Sequence, residues 1–272
     1  MPPPTNDPNF PSNLNINPLH LEGTNASADA DAHAQAESIS KYGIAGRVWE
    51  ASGPLLEYLT PENYDKFDPP CSFFAKDRGP VNVLELGSGQ ALASLHLASH
   101  LTPKDTVVLT DLENVVPLCQ RSIDVWAERE GSKDKAKVIT LPLGWGDELA
   151  EVGKLLPFTH LLLCDLVTEP ESIPDNEGDT FGPEIIMAWK SRSFNLEESF
   201  FDAFARYFSM TPVLGPRRDP EVKLFVCQRW KINEEWKLPE QKHVMSPPKG
   251  VVLPARTFGL AEQVFASLEW DD

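Results

Sequence analysis

Between Val81 and Val167 short apolar runs alternate with longer amphipathic stretches. Val81–Leu86 is a run bounded by Gly79-Pro80 and by Gly87, which predicts a buried strand. Ala91–Leu101 follows, with Leu92, Leu95 and Leu97 apolar, and predicts a helix. The alternation then repeats. Thr106–Thr110 reads as a second strand, and Asn114–Arg129 as a second helix with Val115, Leu118, Cys119, Ile123 and Trp126 at helical spacing. Val138–Leu143 reads as a third strand and Thr159–Val167 as a fourth. Strands that alternate with helices predict a parallel sheet with helices on both faces.

The flanks are less regular. Trp49–Leu59 predicts a short helix on the outside of the domain, followed by a Pro-, Asp- and Lys-containing connection to Pro80. Downstream, Glu184–Lys190 predicts a fifth strand, Leu196–Phe208 a helix, and Glu221–Trp230 a late, antiparallel strand. Residues 1–40 contain the run Ala28-Asp29-Ala30-Asp31-Ala32-His33-Ala34 and little to bury, so a disordered tail is expected. The expected organisation is a tail over 1–40, a folded domain over 41–230, and an extension over 231–272 packed on the same domain.

The turn after the first strand carries the first chemistry. Glu85-Leu86-Gly87-Ser88-Gly89-Gln90-Ala91 runs from a strand through a tight glycine turn into a helix, which puts bare backbone and unpaired N–H groups beside a ligand. The dinucleotide fingerprint G-x-G-x-x-G needs a third glycine where this chain has Leu92. A turn that keeps an acidic residue two places before the first glycine and tolerates Ala at the fifth position suits S-adenosylmethionine instead, and Glu85 and Ala91 fit it. Asp111 ends the second strand, where a carboxylate can accept hydrogen bonds from both ribose hydroxyls. Asp111 could equally cap the second helix.

Composition narrows the setting. The formal charge of −17 disfavours nucleic acid and suits a basic partner. Cys71, Cys119, Cys164 and Cys227 form no C-x-x-C pair, so neither zinc nor a disulfide framework is expected. The six histidines make no metal pattern. With no membrane span and no signal peptide visible, a monomer in the cytoplasm, with nuclear access, is expected.

Taken in order, Gly46-x-x-Trp49, Leu56 and Leu59, Val83–Gly89, Thr110-Asp111-Leu112, Leu143-Gly144-Trp145-Gly146 and Leu163-Cys164-Asp165-Leu166-Val167 resemble the family 16 protein methyltransferases. The resemblance spans about Tyr42 to Trp230, and Trp145-Gly146 with Trp49 carries it beyond the superfamily. It implies an α/β, Rossmann-like class I methyltransferase with a mostly parallel seven-stranded sheet. The cofactor would be S-adenosyl-L-methionine and the acceptor a lysine of a protein.

By position, Trp49 would border the methionine end of the cofactor. Gly87, Ser88 and Gly89 would form the turn, with Glu85 behind it and Asp111 on the ribose. Trp145 would pack near the adenine and Cys164 beside the cofactor. Both tryptophans could instead be core aromatics, and Cys164 a small buried filler. Asp165 is expected to orient the acceptor amine and Glu169 to help accept its proton. The family's D-x-x-Y or D-x-x-F segment reads Asp165-Leu166-Val167-Thr168 here, followed by an acidic, Pro- and Gly-containing loop to Pro183. Three classes therefore stay open: a protein-lysine methyltransferase, a methyltransferase of a small molecule or another side chain, and a catalytically silent binding module.

Overall fold

A computed structural model describes residues 16–19, 28–131, 133–144, 148–165, 182–192, 197, 200–201, 204, 208–216, 219 and 221–229. The seven strands are β1 (Asn82–Leu86), β2 (Thr106–Asp111), β3 (Lys137–Pro142), β4 (His160–Cys164), β5 (Glu184–Lys190), β6 (Phe208–Pro212) and β7 (Val222–Arg229). They form one sheet in the order β3-β2-β1-β4-β5-β7-β6. Strands β1 to β5 pair in parallel, and β7 runs antiparallel to both β5 and β6.

Strands β1, β2, β4 and β5 are buried on both faces, so successive residues enter opposite cores, whereas β3, at the sheet edge, is half-buried. Val83, Val107, Leu162 and Ile186 pack on one side; Leu84, Val108, Leu161, Leu163, Ile185 and Met187 pack on the other. The near-continuous apolar runs of the sequence follow from this double coverage. The helices are α1 (Ala28–Tyr42), α2 (Ser52–Tyr58), α3 (Leu92–His100), α4 (Val116–Glu130) and the short α5 (Ala150–Gly153).

Three expectations are corrected. The disordered tail does not extend to residue 40, because α1 occupies 28–42. Its alanines favour helix, and Gln35, Ser38 and Tyr42 lie three and four residues apart on one buried face. Arg121 of α4 donates to the Ser38 hydroxyl at 2.6 Å and ties α1 to the body. The α2 segment is not peripheral, since Leu55, Tyr58 and Leu59 are fully buried. Phe208, expected to end a helix, opens β6 and pairs with Arg229 of β7. Pairing of this kind is non-local, and local periodicity does not reveal it. The expected extension over 231–272 lies outside the described residues.

The bottom of the sheet is fastened by a carboxylate. Asp105, fully buried ahead of β2, receives both Arg78 guanidinium nitrogens at 3.0 and 3.1 Å. It also accepts from the Val81 and Thr102 N–H groups at 2.9 Å each. Burial works against its charge, but Arg78 and these donors outweigh it and hold the carboxyl at about 2. The pKa is depressed, so this stabilisation is present above the unfolded value of about 3.9 and is lost as pH falls through the folded one. Asp105→Ala would strand Arg78 and two backbone donors. It is expected to cost about 3 kcal/mol in urea denaturation at neutral pH, a difference that shrinks under strong acid.

Candidate active site

Strands β1 and β4 are neighbours, and the chain leaves them in opposite directions, to β2 on one side and β5 on the other. Open α/β sheets bind ligands at such a switch point, beyond the C-terminal strand ends. Here a cleft open to solvent lies between the glycine turn and the segment Ala45–Trp49, with Ser52, Glu85 and Cys164 also on its walls.

The turn takes a backbone shape that few residues tolerate. Gly87 and Gly89 have φ of 60° and 49°, and Ala91 follows at 58°. A β-carbon on Gly89 would stand 2.7 Å from the Ala45 carbonyl oxygen. Asp111 holds the turn from beneath: its Oδ2 accepts from the Gly89 N–H at 2.8 Å and its Oδ1 from the Leu112 N–H at 2.8 Å. Burial raises its pKa. Asp111 thus fastens the glycine turn and is not on the cleft wall; it does not cap α4, whose N-cap is Val115. Ser88 pairs with Thr110 in both directions, its N–H donating at 2.9 Å and its Oγ accepting at 3.1 Å.

Glu85 lies on the cleft wall and is 2% exposed, and its Oε2 has no hydrogen-bond partner. Burial pushes its carboxyl up to about 7, against the pull of the Ser94 and Ser88 hydroxyls. An unpaired buried carboxylate oxygen facing a cleft fits a cationic ligand group. S-adenosylmethionine carries an α-ammonium and a sulfonium, and the bare turn backbone leaves room for its ribose and amino-acid end.

The opposite wall is built from charge and one indole. Trp49 has two guanidiniums against its ring, Arg47 at 4.4 Å and Arg192 at 4.6 Å from the centroid, and donates from Nε1 to the Ile44 carbonyl at 3.1 Å. It is a cleft residue clasped by cations, not a core aromatic. Arg47 pairs with Glu50 at 2.8 Å and pulls that carboxyl down to about 2. Cys164 Sγ is 3.5 Å from Ser52 Oγ, and burial raises its thiol, so it contributes shape and not a nucleophile.

Asp165 is placed differently from expectation. Its side chain is 2% exposed, its φ is 58°, and both its oxygens accept from Arg192 at 2.9 and 2.6 Å. Arg192 also reaches Glu50 at 3.0 Å. The carboxylate expected to meet an acceptor amine is thus held by this chain's own cation. Ala91 and Asp165 are the non-glycine residues with positive φ among the described residues, and both border the site. Arg47, Glu50, Gln90 and Arg192 were not singled out from the sequence. Arg192 follows β5 at the ligand end of the sheet, which is the signal that could have found it. Trp145 and Glu169 lie outside the described residues.

Among the described residues no cluster of His, Cys, Asp and Glu could hold a metal ion. No helix among them is long and apolar enough to cross a membrane.

The strand order and the glycine-turn cleft define a class I methyltransferase fold. Residues 29–206 match the family of methyltransferases described as lysine methyltransferase, and the chain belongs to that family. No curated protein sequence matches it. The chain is similar to an O-methyltransferase family protein from Burkholderia thailandensis, at 12% identity over 65% of this chain and 56% of that one, TM-score 0.40. It therefore spans little more than half the length of that protein. It is also similar to a Bacillus cereus O-methyltransferase in complex with SAH, at 17% identity over 73% and 91% of the two chains, TM-score 0.38. A third likeness is to precorrin-6y C5,15-methyltransferase from Geobacter metallireducens, at 11% identity over 66% and 88%, TM-score 0.35.

Gly89→Ala combines a disfavoured φ with a backbone clash at Ala45. It is expected to weaken S-adenosylmethionine binding, measured by calorimetry, by at least about tenfold.

Proposed function

We propose that this chain transfers the methyl group of S-adenosyl-L-methionine to the side-chain amine of a protein lysine. The observation that carries the cofactor is the buried Glu85 carboxyl, whose Oε2 has no partner, on a cleft walled by the glycine turn and Trp49. The family supports the lysine acceptor, and the charge of −17 favours approach of a basic protein surface.

When bound, the cofactor supplies an electrophilic methyl group. The chain's own residues then act by position. Glu85 would receive the α-ammonium, Gly87–Gly89 the backbone approach, and Trp49 the wall beside the methionine end. Holding the reactants in line can remove roughly 7–11 kcal/mol of barrier. A lysine has a free pKa of about 10.4 and must react as the neutral amine. Asp165 can orient the amine only if Arg192 yields one of its two hydrogen bonds.

That engagement favours a second reading, in which the acceptor is a small molecule or another side chain. Radiolabelled methyl transfer into a cell lysate, followed by separation of macromolecules from small solutes, tests the two. Label on lysines of protein supports the first, label in the small-solute fraction or on another side chain the second, and no label overturns both. Full transfer by Asp165→Ala would remove Asp165 from the reaction.

Glu85 makes cofactor binding depend on pH. Its carboxyl sits at about 7 in the free protein, so protonation below that value removes the partner of the ammonium. Calorimetric affinity is expected to fall severalfold from about pH 7.5 to about pH 6, and Glu85→Gln to flatten that change.

A further inference from the structure

We propose that the segment Asn17–Leu19, acting through Gln35, is a brace that positions the Arg47–Trp49 wall of the cleft, which makes Gln35 a positioning residue for cofactor binding. The proposal rests on the cofactor reading above.

Gln35 lies on α1 and is 6% exposed. Its amide joins three separate stretches of chain. Oε1 accepts from the Leu19 N–H at 2.8 Å and from the Val48 N–H at 3.1 Å, and Nε2 donates to the Leu19 carbonyl at 2.9 Å. One residue before Val48, Arg47 donates from Nε to the Asn17 carbonyl at 2.8 Å. Two consecutive wall residues are therefore held by the N-terminal segment, one directly and one through Gln35. Both line the cleft, whereas Gln35, Asn17 and Leu19 do not.

The wall needs such a brace because it is irregular chain. After the 3-10 turn Gly43–Gly46, residues 47–49 belong to no helix or strand, so no ladder holds them. Their other anchors lie on either side of Val48. Gln90 donates to the Gly46 carbonyl at 2.7 Å, the Arg47 N–H donates to the Ile44 carbonyl at 3.2 Å and its guanidinium pairs with Glu50, and Trp49 donates to the Ile44 carbonyl with Arg192 over its ring. Between these, Val48 is fixed through its N–H to Gln35. A wall in place for only part of the time lowers the apparent affinity by that fraction.

Two full-length variants test this. Gln35→Met keeps the volume and removes all three hydrogen bonds. Leu19→Pro removes one N–H on a residue remote from the cleft. If the brace keeps the wall in place, Gln35→Met weakens S-adenosylmethionine binding by about tenfold in calorimetry and raises its KM alike, with kcat at saturation within about twofold. Leu19→Pro changes both in the same direction. Hydrogen exchange at the Val48 amide should quicken in each variant. A fall in thermal stability with unchanged affinity per folded molecule would make Gln35 merely structural and overturn the proposal. So would a wild-type exchange rate at Val48, whether or not cofactor binds. Absence of binding in the unaltered protein would instead overturn the cofactor reading, leaving the exchange measurement to decide the brace.

Discussion

The close approach of the Ala45 carbonyl to Gly89, which leaves no room for a side chain there, constrains the site around it. A β-carbon there would stand 2.7 Å from that oxygen, so the wall segment and the glycine turn can approach only because one residue has no side chain. Other elements converge on the same glycine. Asp111, from the end of β2, takes its N–H, and Cys119 of α4 donates to its carbonyl at 3.4 Å. The turn thereby joins the sheet, a helix and the N-terminal segment. Its only apolar demand is that Ala91, fully buried, start α3 in a left-handed conformation. That strain is held by the packing on either side.

The far wall depends on a different economy. Arg192 binds Asp165 and Glu50 at once, and both it and Arg47 lie against the Trp49 ring. A carboxylate that is 2% exposed needs a cation, and removing that cation leaves a buried charge. The same pairing occupies both oxygens of Asp165 at the end of β4. The local electrostatics are thus balanced within the chain, and the net charge of −17 acts only at longer range.

Much of the fold is legible along the chain because the sheet is buried on both faces. A doubly covered strand must be apolar throughout, so β1, β2, β4 and β5 stand out as short runs between breakers. The β6 strand does not. Its hydrogen bonds go to β7, and its residues carry no breaker before Phe208 to separate them from the preceding aromatic stretch. The α1 helix was hidden for the opposite reason: its composition resembles a tail, and its buried face consists of Gln35 and Ser38 as well as Tyr42. Polar residues bury only where partners exist, and those partners lie at Leu19, Val48 and Arg121.

The site divides along the same line. The glycine turn, the acidic residue before it and the aspartate after β2 are local patterns, and backbone geometry alone requires them. The sequence by itself determined that a cleft would open at Gly87–Gly89 beside Glu85. Which groups face that cleft was decided by tertiary structure. It tied Asp111 to the turn, gave Asp165 to Arg192, and set two cations against Trp49, because hydrogen bonds and ion pairs are satisfied between residues far apart in sequence. A pattern along the chain records what a position must be. Its partner is recorded only where the folded chain brings the two together.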